Sequence, residues 1–375
     1  MAEDRYDVLV VGGGLTGIVA AAAARQRGAH VALVTTGPGT FVLGSGALNS
    51  EGMTAGSDSE LGPPQQGLGE AFAFFADFAL AAGCRYGGNL STRAYLPTAL
   101  GTFQPVSMAP CGLLQDPKSS PATALVVGID GLQEVNARFI ADGLTSYGGR
   151  MGISTTYGAA TIRLPWRHEA RLTRWEIANS LDRDERCWQQ LADVLRPIAS
   201  RAAWLILPGM LGLNTSPYQM AQFEQRVGCP VREFATLPPS VVGWRLFRAL
   251  DGRLRSRGAT VLSGFSVVRV SIKAPNNFAV SLDTPGRMKS MWADALILAT
   301  GGPIENLLST VGSARFQTGG ASTSVVVDAD LRLLDDDGRP IENLFIAGRA
   351  LQNIRPENGN AMAILTGYRS GKRAA

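Results

Sequence analysis

A Gly-x-Gly-x-x-Gly turn made by Gly12, Gly14 and Gly17, within DVLVVGGGLTG from Asp7, joins an apolar strand to an alanine-rich helix. In such a turn the first glycine permits the tight bend, the second lets backbone approach phosphate, and the third lets helix and strand pack closely. Phosphate then rests on the exposed N–H groups of the helix that starts near Leu15. A plain tight turn is the alternative, but the flanking pattern favours phosphate. Residues 8–11 form a continuous apolar run suited to a buried parallel strand, 18–24 are strongly helical, and 30–34 read as a second strand. The loop therefore predicts a dinucleotide or flavin held by Gly12, Gly13, Gly14, Leu15, Thr16 and Gly17.

An acidic residue about 20 positions beyond the glycines normally binds the adenosine ribose. Here the second strand ends in Thr35 and Thr36. Either a hydroxyl or backbone group holds the ribose there, or no adenosine half is bound, which leaves FAD and FMN both open. A nicotinamide dinucleotide is less favoured, because the C-terminal signals are of the flavoprotein type.

The chain has 375 residues, of which 45% are hydrophobic, enough for a large core and two or more lobes. No run reaches the roughly 18 apolar residues that cross a bilayer. The most apolar helix, AFAFFADFALAAG, is interrupted by Asp77 and reads as a buried core helix. The first strand begins within seven residues of the start, leaving no room for a signal peptide, so the expected compartment is the cytoplasm. Cys84, Cys111, Cys187 and Cys229 are widely spaced, so no metal or iron–sulfur site is expected. A net charge of +4 lacks the clustering of a nucleic-acid surface. The basic end, Arg369, Lys372 and Arg373, reads as a solvated tail in preference to a contact with anionic lipid.

The expected fold class is α/β. It is a Rossmann-like two-dinucleotide-binding flavoprotein fold with an inserted α/β cap domain and a β-meander. Residues 1–95 supply the first part of the flavin-binding domain, including a loop LGSGALNS whose Ser45 and Gly46 either lie along an isoalloxazine or form a surface turn. Residues 96–235 alternate short apolar strands, such as ALVVGID and AWLILPG, with helices, as in a cap that closes over a ligand. Residues 236–375 return to the first domain. Pro238, Pro239 and Ser240 start a helix running to about Arg257. Three strands near 266–272, 278–282 and 288–292 form an antiparallel meander leading into a separate buried strand, ADALILATGG. Its turn, Ala299, Thr300 and Gly301, is expected to approach the cofactor near the first glycine loop.

The closing signal is the strand IENLFIAGR, ending at Gly348 and Arg349, followed by a helix after Gly359. That helix directs its unpaired N–H groups and positive dipole end at a flavin pyrimidine, favouring the charge that reduction places at N1 and C2=O. Asn358, Gly359, Asn360 and Ala361 are the expected contacts, with Arg355 and Glu357 in the preceding loop. The alternative is that Asn358 simply caps the helix.

These stretches, with LPTALGT, VVGIDGL, RWEIANSLD, LILPGMLGL, TLPPSVVGWRL and PIENLFIAG, cover most of the chain and resemble the B subunit family of anaerobic glycerol-3-phosphate dehydrogenase. The resemblance implies a flavin subunit, with FMN the usual assignment and FAD the alternative. It implies a flavin-dependent oxidoreductase of the quinone type in a three-part complex, with a large FAD subunit and an iron–sulfur membrane-anchor subunit, peripheral on the inner face of the cytoplasmic membrane. Together these convert sn-glycerol 3-phosphate and quinone to dihydroxyacetone phosphate and quinol. The chain departs from the family in a shorter segment between Gly302 and Val325, in NGNAMA before the final helix, and in Arg349, where related flavoproteins often place an acid.

Oxidising a secondary alcohol needs a base as well as a flavin. His30 reads as structural within its strand. His168 reads as an exposed histidine, and Arg167, His168 and Arg171 as a solvated face or a phosphate contact. No catalytic base is assigned. Three functions remain in view: an electron-transfer flavin subunit, a stand-alone FAD enzyme acting on another small acid or alcohol, and a non-redox scaffold.

Overall fold

A computed structural model describes residues 4–51, 53, 67–114, 122–167, 171–274, 276–284, 287–302, 304, 307, 316–319, 322–351 and 358–375. The chain forms two compact units, Met1–Phe41 with Asn49–Ala82 and Leu250–Ala375 in the first, and Val42–Leu48 with Gly83–Ala249 in the second. Where the sequence reading divides the chain at 95/96 and 235/236, these units divide at 82/83 and 249/250.

The first unit opens with β1 (Arg5–Val11), α1 (Leu15–Gln26) and β2 (Val31–Thr35). Strands β1 and β2 pair in parallel, and the apolar run 8–11 is buried throughout, as a strand covered on both faces requires. In α1 every residue from Leu15 to Ala24 is buried, and its alanines keep neighbouring elements close. Helix α2 (Leu68–Ala81) is a core helix buried along one face. Phe72, Phe75 and Phe78 face inward, but Leu80 is 57% exposed, because the core covers only one side.

The second unit starts with two short antiparallel pairs made by β3 (Tyr86–Gly88), β4 (Ala94–Pro97), β5 (Phe103–Val106) and β6 (Met108–Pro110). It continues through β7 (Thr123–Ile129), α3 (Ala137–Arg150), β8 (Thr156–Ile162), α4 (Arg174–Arg183), α5 (Glu185–Ala199), β9 (Trp204–Pro208), α6 (Pro217–Val227) and β10 (Val231–Phe234). The four longer-range strands form a parallel sheet in the order β10-β9-β7-β8. Alternation along β7 explains its two cores. Leu125, Val127 and Ile129 pack with α4, α5 and α6, while Ala124 and Val126 pack with α3. The division between units falls inside α7 (Val241–Ser256), which begins where the Ser240 hydroxyl accepts the Gly243 N–H.

Back in the first unit come β11 (Thr260–Ser263), β12 (Ser266–Ala274), β13 (Asn277–Thr284) and β14 (Arg287–Leu298). Strand β14 corrects the reading of two separate strands: its 12 residues form one strand with two kinds of neighbour. Its first half pairs antiparallel with β13, and its second half lies between β1 and a later strand, parallel to both. After a hairpin of β15 (Phe316–Gly319) and β16 (Ser322–Val325), the chain adds β17 (Arg332–Leu334), β18 (Pro340–Ile346) and α8 (Gly359–Ala374). The main path is β11-β2-β1-β14, with β18 and the β12–β13 meander both on the far side of β14.

Helices α1 and α8 lie against each other with backbone contact. A Cβ placed on Gly367 would come within 2.5 Å of the Thr16 carbonyl oxygen, and one on Gly371 would overlap the Ala20 carbonyl. The shared register, 16 beside 367 and 20 beside 371, makes the helices parallel. Because Leu15 is then level with Thr366, α8 begins seven residues before α1, roughly 10 Å further along the common axis. Gly371→Leu is expected to cost about 3 kcal/mol in urea unfolding, since the obstructing atom is a backbone oxygen. Gly149→Ala, in α3 with open space around the new methyl, is expected to leave stability unchanged or raise it by about 0.5 kcal/mol. Equal effects would contradict the close packing.

The basic end is solvated, as expected, but it is the last turn of α8 and its charges are paired. Lys372 pairs with Glu70 at 2.7 Å, Arg373 with Asp330 at 2.8 Å, and Arg369 donates to the Ala329 carbonyl at 2.6 Å. Glu70 also accepts from the Tyr368 hydroxyl, so the last helix is tied to α2. The Lys372 and Tyr368 hydrogen bonds hold the Glu70 carboxyl below its ordinary range.

Candidate functional site

The three loop glycines meet quite different surroundings. A Cβ on Gly12, whose φ is +118°, would overlap the Ala299 carbonyl, and one on Gly17 would overlap the Gly12 carbonyl. These two are glycines because protein backbone fills the space a side chain needs. Gly14 has φ −72° and ψ −178°, open to any residue, and nothing within 4 Å of an added Cβ. Packing among the described residues gives no reason for glycine there. A ligand brought against the backbone would give one.

Around this open face stand the carboxyl ends of adjacent parallel strands. Gly12 N–H donates to Val34, Ala299 N–H to Val11 and Ala347 N–H to Leu298, so the turns after β1, β14 and β18 follow one another along one edge of the sheet. Thr300 and Gly301, with φ +73° at Gly301, are exposed on that edge. Gly348, φ +71°, rests on the Thr16 side chain at the start of α1, leaving no room for a Cβ. Its N–H donates to the Thr366 hydroxyl at 2.9 Å, which in turn donates to Met362. Thr366 thereby fixes the Gly348 turn to α8. Arg349 is exposed beside it.

Thr35 occupies the end of β2 and is only 6% exposed. Its hydroxyl closes a turn with Gly37, as donor to the carbonyl and acceptor of the N–H, and a Cβ on Gly13 would meet its side chain. No carboxylate stands at this position, and the hydroxyl is already engaged. Thr36 is exposed.

At the start of α8, Asn358 is 5% exposed. It is the residue before the first turn, yet it makes no side-chain capping bond, so the alternative of simple capping does not hold. Its Nδ2 donates instead to the Glu51 carbonyl at 3.0 Å, and its Oδ1 is buried with no hydrogen-bond partner among the described residues. Gly359 has open space beside it, Asn360 is half-buried and Ala361 is buried. Arg355 and Glu357 lie outside the described residues.

Ser45 and Gly46 belong to the second unit. Gly46, φ +77°, is pinned by the Tyr86 hydroxyl, which donates to its carbonyl at 2.8 Å, and by the Leu246 side chain. Burial pushes the Tyr86 phenol well above its ordinary range. In the parallel sheet of this unit, the crevice where strand order reverses lies past the carboxyl ends of β7 and β9. The amides that follow β9 are engaged by the chain's own acids: Glu233 accepts from Met210 and Leu211 at 2.8 Å, and Asp182 accepts from Leu213 at 3.1 Å. These carboxylates take the place an anionic ligand would occupy, and nothing in the local sequence announced them.

His30 lies at the start of β2, at the opposite end of that strand from the glycine loop, where its ring stacks on Tyr6 at 4.5 Å. Arg167 is half-buried and donates to Ser180, Arg171 is exposed, and His168 lies outside the described residues. The four cysteines are free, and no His, Cys, Asp and Glu cluster among the described residues is arranged to hold a metal. Burial pushes the Cys84 thiol up to about 11, against the opposing pull of Arg245. The thiol is therefore protonated at neutral pH, and iodoacetamide at pH 8 should leave native Cys84 unmodified. Fast labelling there would contradict this.

A phosphate-bearing cofactor fits the first unit on two counts, the open face at Gly14 and the orphaned acceptor at Asn358. The chain matches the FAD binding domain family over residues 7–77. It is 28% identical over 98% of its length to the probable B subunit of anaerobic glycerol-3-phosphate dehydrogenase from Halobacterium salinarum (strain ATCC 29341 / DSM 671 / R1), covering 97% of that protein. That alignment spans 424 positions, longer than the chain, so the relative carries inserted segments. The chain is also 28% identical over 72% of its length to the B subunit of anaerobic glycerol-3-phosphate dehydrogenase from Yersinia enterocolitica, covering 68% of it. Among solved structures, 3-ketosteroid delta1-dehydrogenase from Sterolibacterium denitrificans aligns over 99% of each chain at 12% identity with a TM-score of 0.45. The chain is therefore similar along most of its length to B subunits of anaerobic glycerol-3-phosphate dehydrogenase, and its residues 7–77 match the FAD binding domain family.

Proposed function

We propose that this chain is the flavin-bearing subunit of a membrane-associated glycerol-3-phosphate dehydrogenase complex. The complex takes sn-glycerol 3-phosphate and quinone to dihydroxyacetone phosphate and quinol. The observation that carries the flavin reading is Gly14, a glycine with an unstrained backbone and an empty side-chain position between two glycines that have no room at all.

In this reading the amides of residues 13–17 hold phosphate at the start of α1. Ala299, Thr300, Gly301, Gly348 and Arg349 line the edge of the sheet, and Asn358, Gly359, Asn360 and Ala361 receive the pyrimidine end. The roughly 10 Å lead of α8 over α1 matches one elongated ligand touching both helix starts. Bound flavin supplies the hydride and electron acceptor. The chain's residues bind and orient it, and the positive end of α8 favours negative charge on the reduced pyrimidine.

FAD is the first reading, favoured by the match at residues 7–77. FMN is the second, favoured by Thr35, which leaves the adenosine ribose without its carboxylate. Mass spectrometry of flavin released on denaturation separates them. A large FAD subunit and an iron–sulfur anchor complete the complex. Since no helix among the described residues is long and apolar enough to cross a membrane, the chain would be held at the cytoplasmic face through these partners.

Anaerobic bleaching by glycerol 3-phosphate tests the function. Reduction in the assembled complex supports the electron-transfer subunit, reduction of the isolated chain supports a stand-alone oxidoreductase, and no flavin in either would leave a scaffold.

A further inference from the structure

A buried amide oxygen that lacks a donor is costly, commonly by a factor of ten or more in an equilibrium it influences. Among the described residues, Asn358 holds such an oxygen, and its orientation is determined. Donation from Nδ2 to the Glu51 carbonyl at 3.0 Å would become a clash of two acceptors if the amide were flipped, so Oδ1 is the atom left over. The residue stands immediately before Gly359, the first residue of α8, and that helix's first-turn N–H groups have no acceptor inside the helix. One small region therefore offers an acceptor beside several donors. The ligand edge that matches it has a donor beside an acceptor.

We propose that Asn358 is a specificity-determining residue of the flavin site, its Oδ1 accepting the flavin N3–H while the first turn of α8 donates to the neighbouring C2=O. This rests on the flavin reading and deepens it. N3–H is the ring donor of the oxidised isoalloxazine, and it lies next to the carbonyl that a helix N-terminus attracts. An acceptor fixed by Glu51 holds the ring by its pyrimidine end without adding negative charge, so it does not oppose the charge that reduction brings to N1 and C2=O. A carboxylate in its place would oppose that charge.

Two measurements test this on the full chain. Apoprotein is titrated with FAD and FMN and with their N3-methyl counterparts, and wild type is expected to bind the methylated form about tenfold or more weakly. Equal affinity for the two forms overturns the proposal, and this comparison needs no variant. Second, the alkaline ionisation of N3 in the bound flavin is followed by absorbance in wild type, Asn358→Ala and Asn358→Asp. The accepting Oδ1 stabilises the protonated ring nitrogen, so ionisation is expected at higher pH in wild type than in Asn358→Ala. Asn358→Asp is expected to keep flavin but lower its midpoint potential. An unchanged ionisation in Asn358→Ala overturns the proposal, as does loss of affinity for a 2′-deoxyribityl flavin in place of the N3-methyl one. Failure of wild type to bind any flavin would instead remove the flavin reading itself.

Discussion

Gly14→Val should yield a folded chain that no longer retains flavin, whereas Gly17→Val should fail to fold stably. The two glycines lie three positions apart in one loop, and motif reading treats them alike. At Gly17 the obstruction is the chain itself. A Cβ there would overlap the Gly12 carbonyl, and Gly12 in turn has the Ala299 carbonyl against it, so relief would require moving β1, α1 and the end of β14 together. Displacing packed backbone in this way is expected to cost on the order of 4 kcal/mol or more. At Gly14 the backbone is extended and the side-chain position is empty, so valine introduces no strain into the free chain and intrudes only on what approaches from outside. Circular dichroism and urea unfolding report the first property, and flavin absorbance after gel filtration the second. A yellow, fully loaded Gly14→Val protein would remove the phosphate from this loop.

Glu233→Ala is expected to destabilise the second unit by about 3–5 kcal/mol. Glu233 is 5% exposed and accepts from the Met210 and Leu211 amides and from both terminal nitrogens of Arg245, itself 17% exposed. Alanine leaves a guanidinium and two amides without their acceptor in a buried place, and each such group carries its own desolvation cost. The Arg245 Nε bond to the Gly212 carbonyl then holds the arginine where its charge is least welcome. The double replacement Glu233→Leu with Arg245→Met removes both charges and should recover part of the loss. Hydrogen exchange at residues 210–213 localises the effect: protection falls there first if Glu233 holds the turn. A loss below about 1 kcal/mol would mean the pair is dispensable.

What the sequence made legible was local. The run 8–11, the glycine loop and the alanine helix predict β1 and α1, because each depends on neighbours within a few residues. The helix after Pro239 and the strand before Gly348 are legible for the same reason. The dual pairing of β14 was not, since Met288–Trp292 and the apolar run after Ala293 differ in period and nothing between them signals continuity. Gly367 and Gly371 look like ordinary helix-weakening glycines until α1 lies against them. Glu233 and Asp182 sit far in sequence from the amides they satisfy, so the closed anion positions of the second unit could not be read. Asn358 was legible as a helix-start residue. That its side chain turns to Glu51 instead of capping depends on a contact 307 positions away.

In this reading the first unit holds one flavin between the starts of α1 and α8. The direct measurement is the cofactor content of the purified chain, followed by reconstitution of the apoprotein with FAD or FMN and a cryo-EM or crystal map of the product. About one flavin per chain is expected, with phosphate against the amides at Gly14 and the pyrimidine ring against Asn358 and Gly359. A colourless chain that takes up neither flavin, or a map with the ring away from the start of α8, would contradict it.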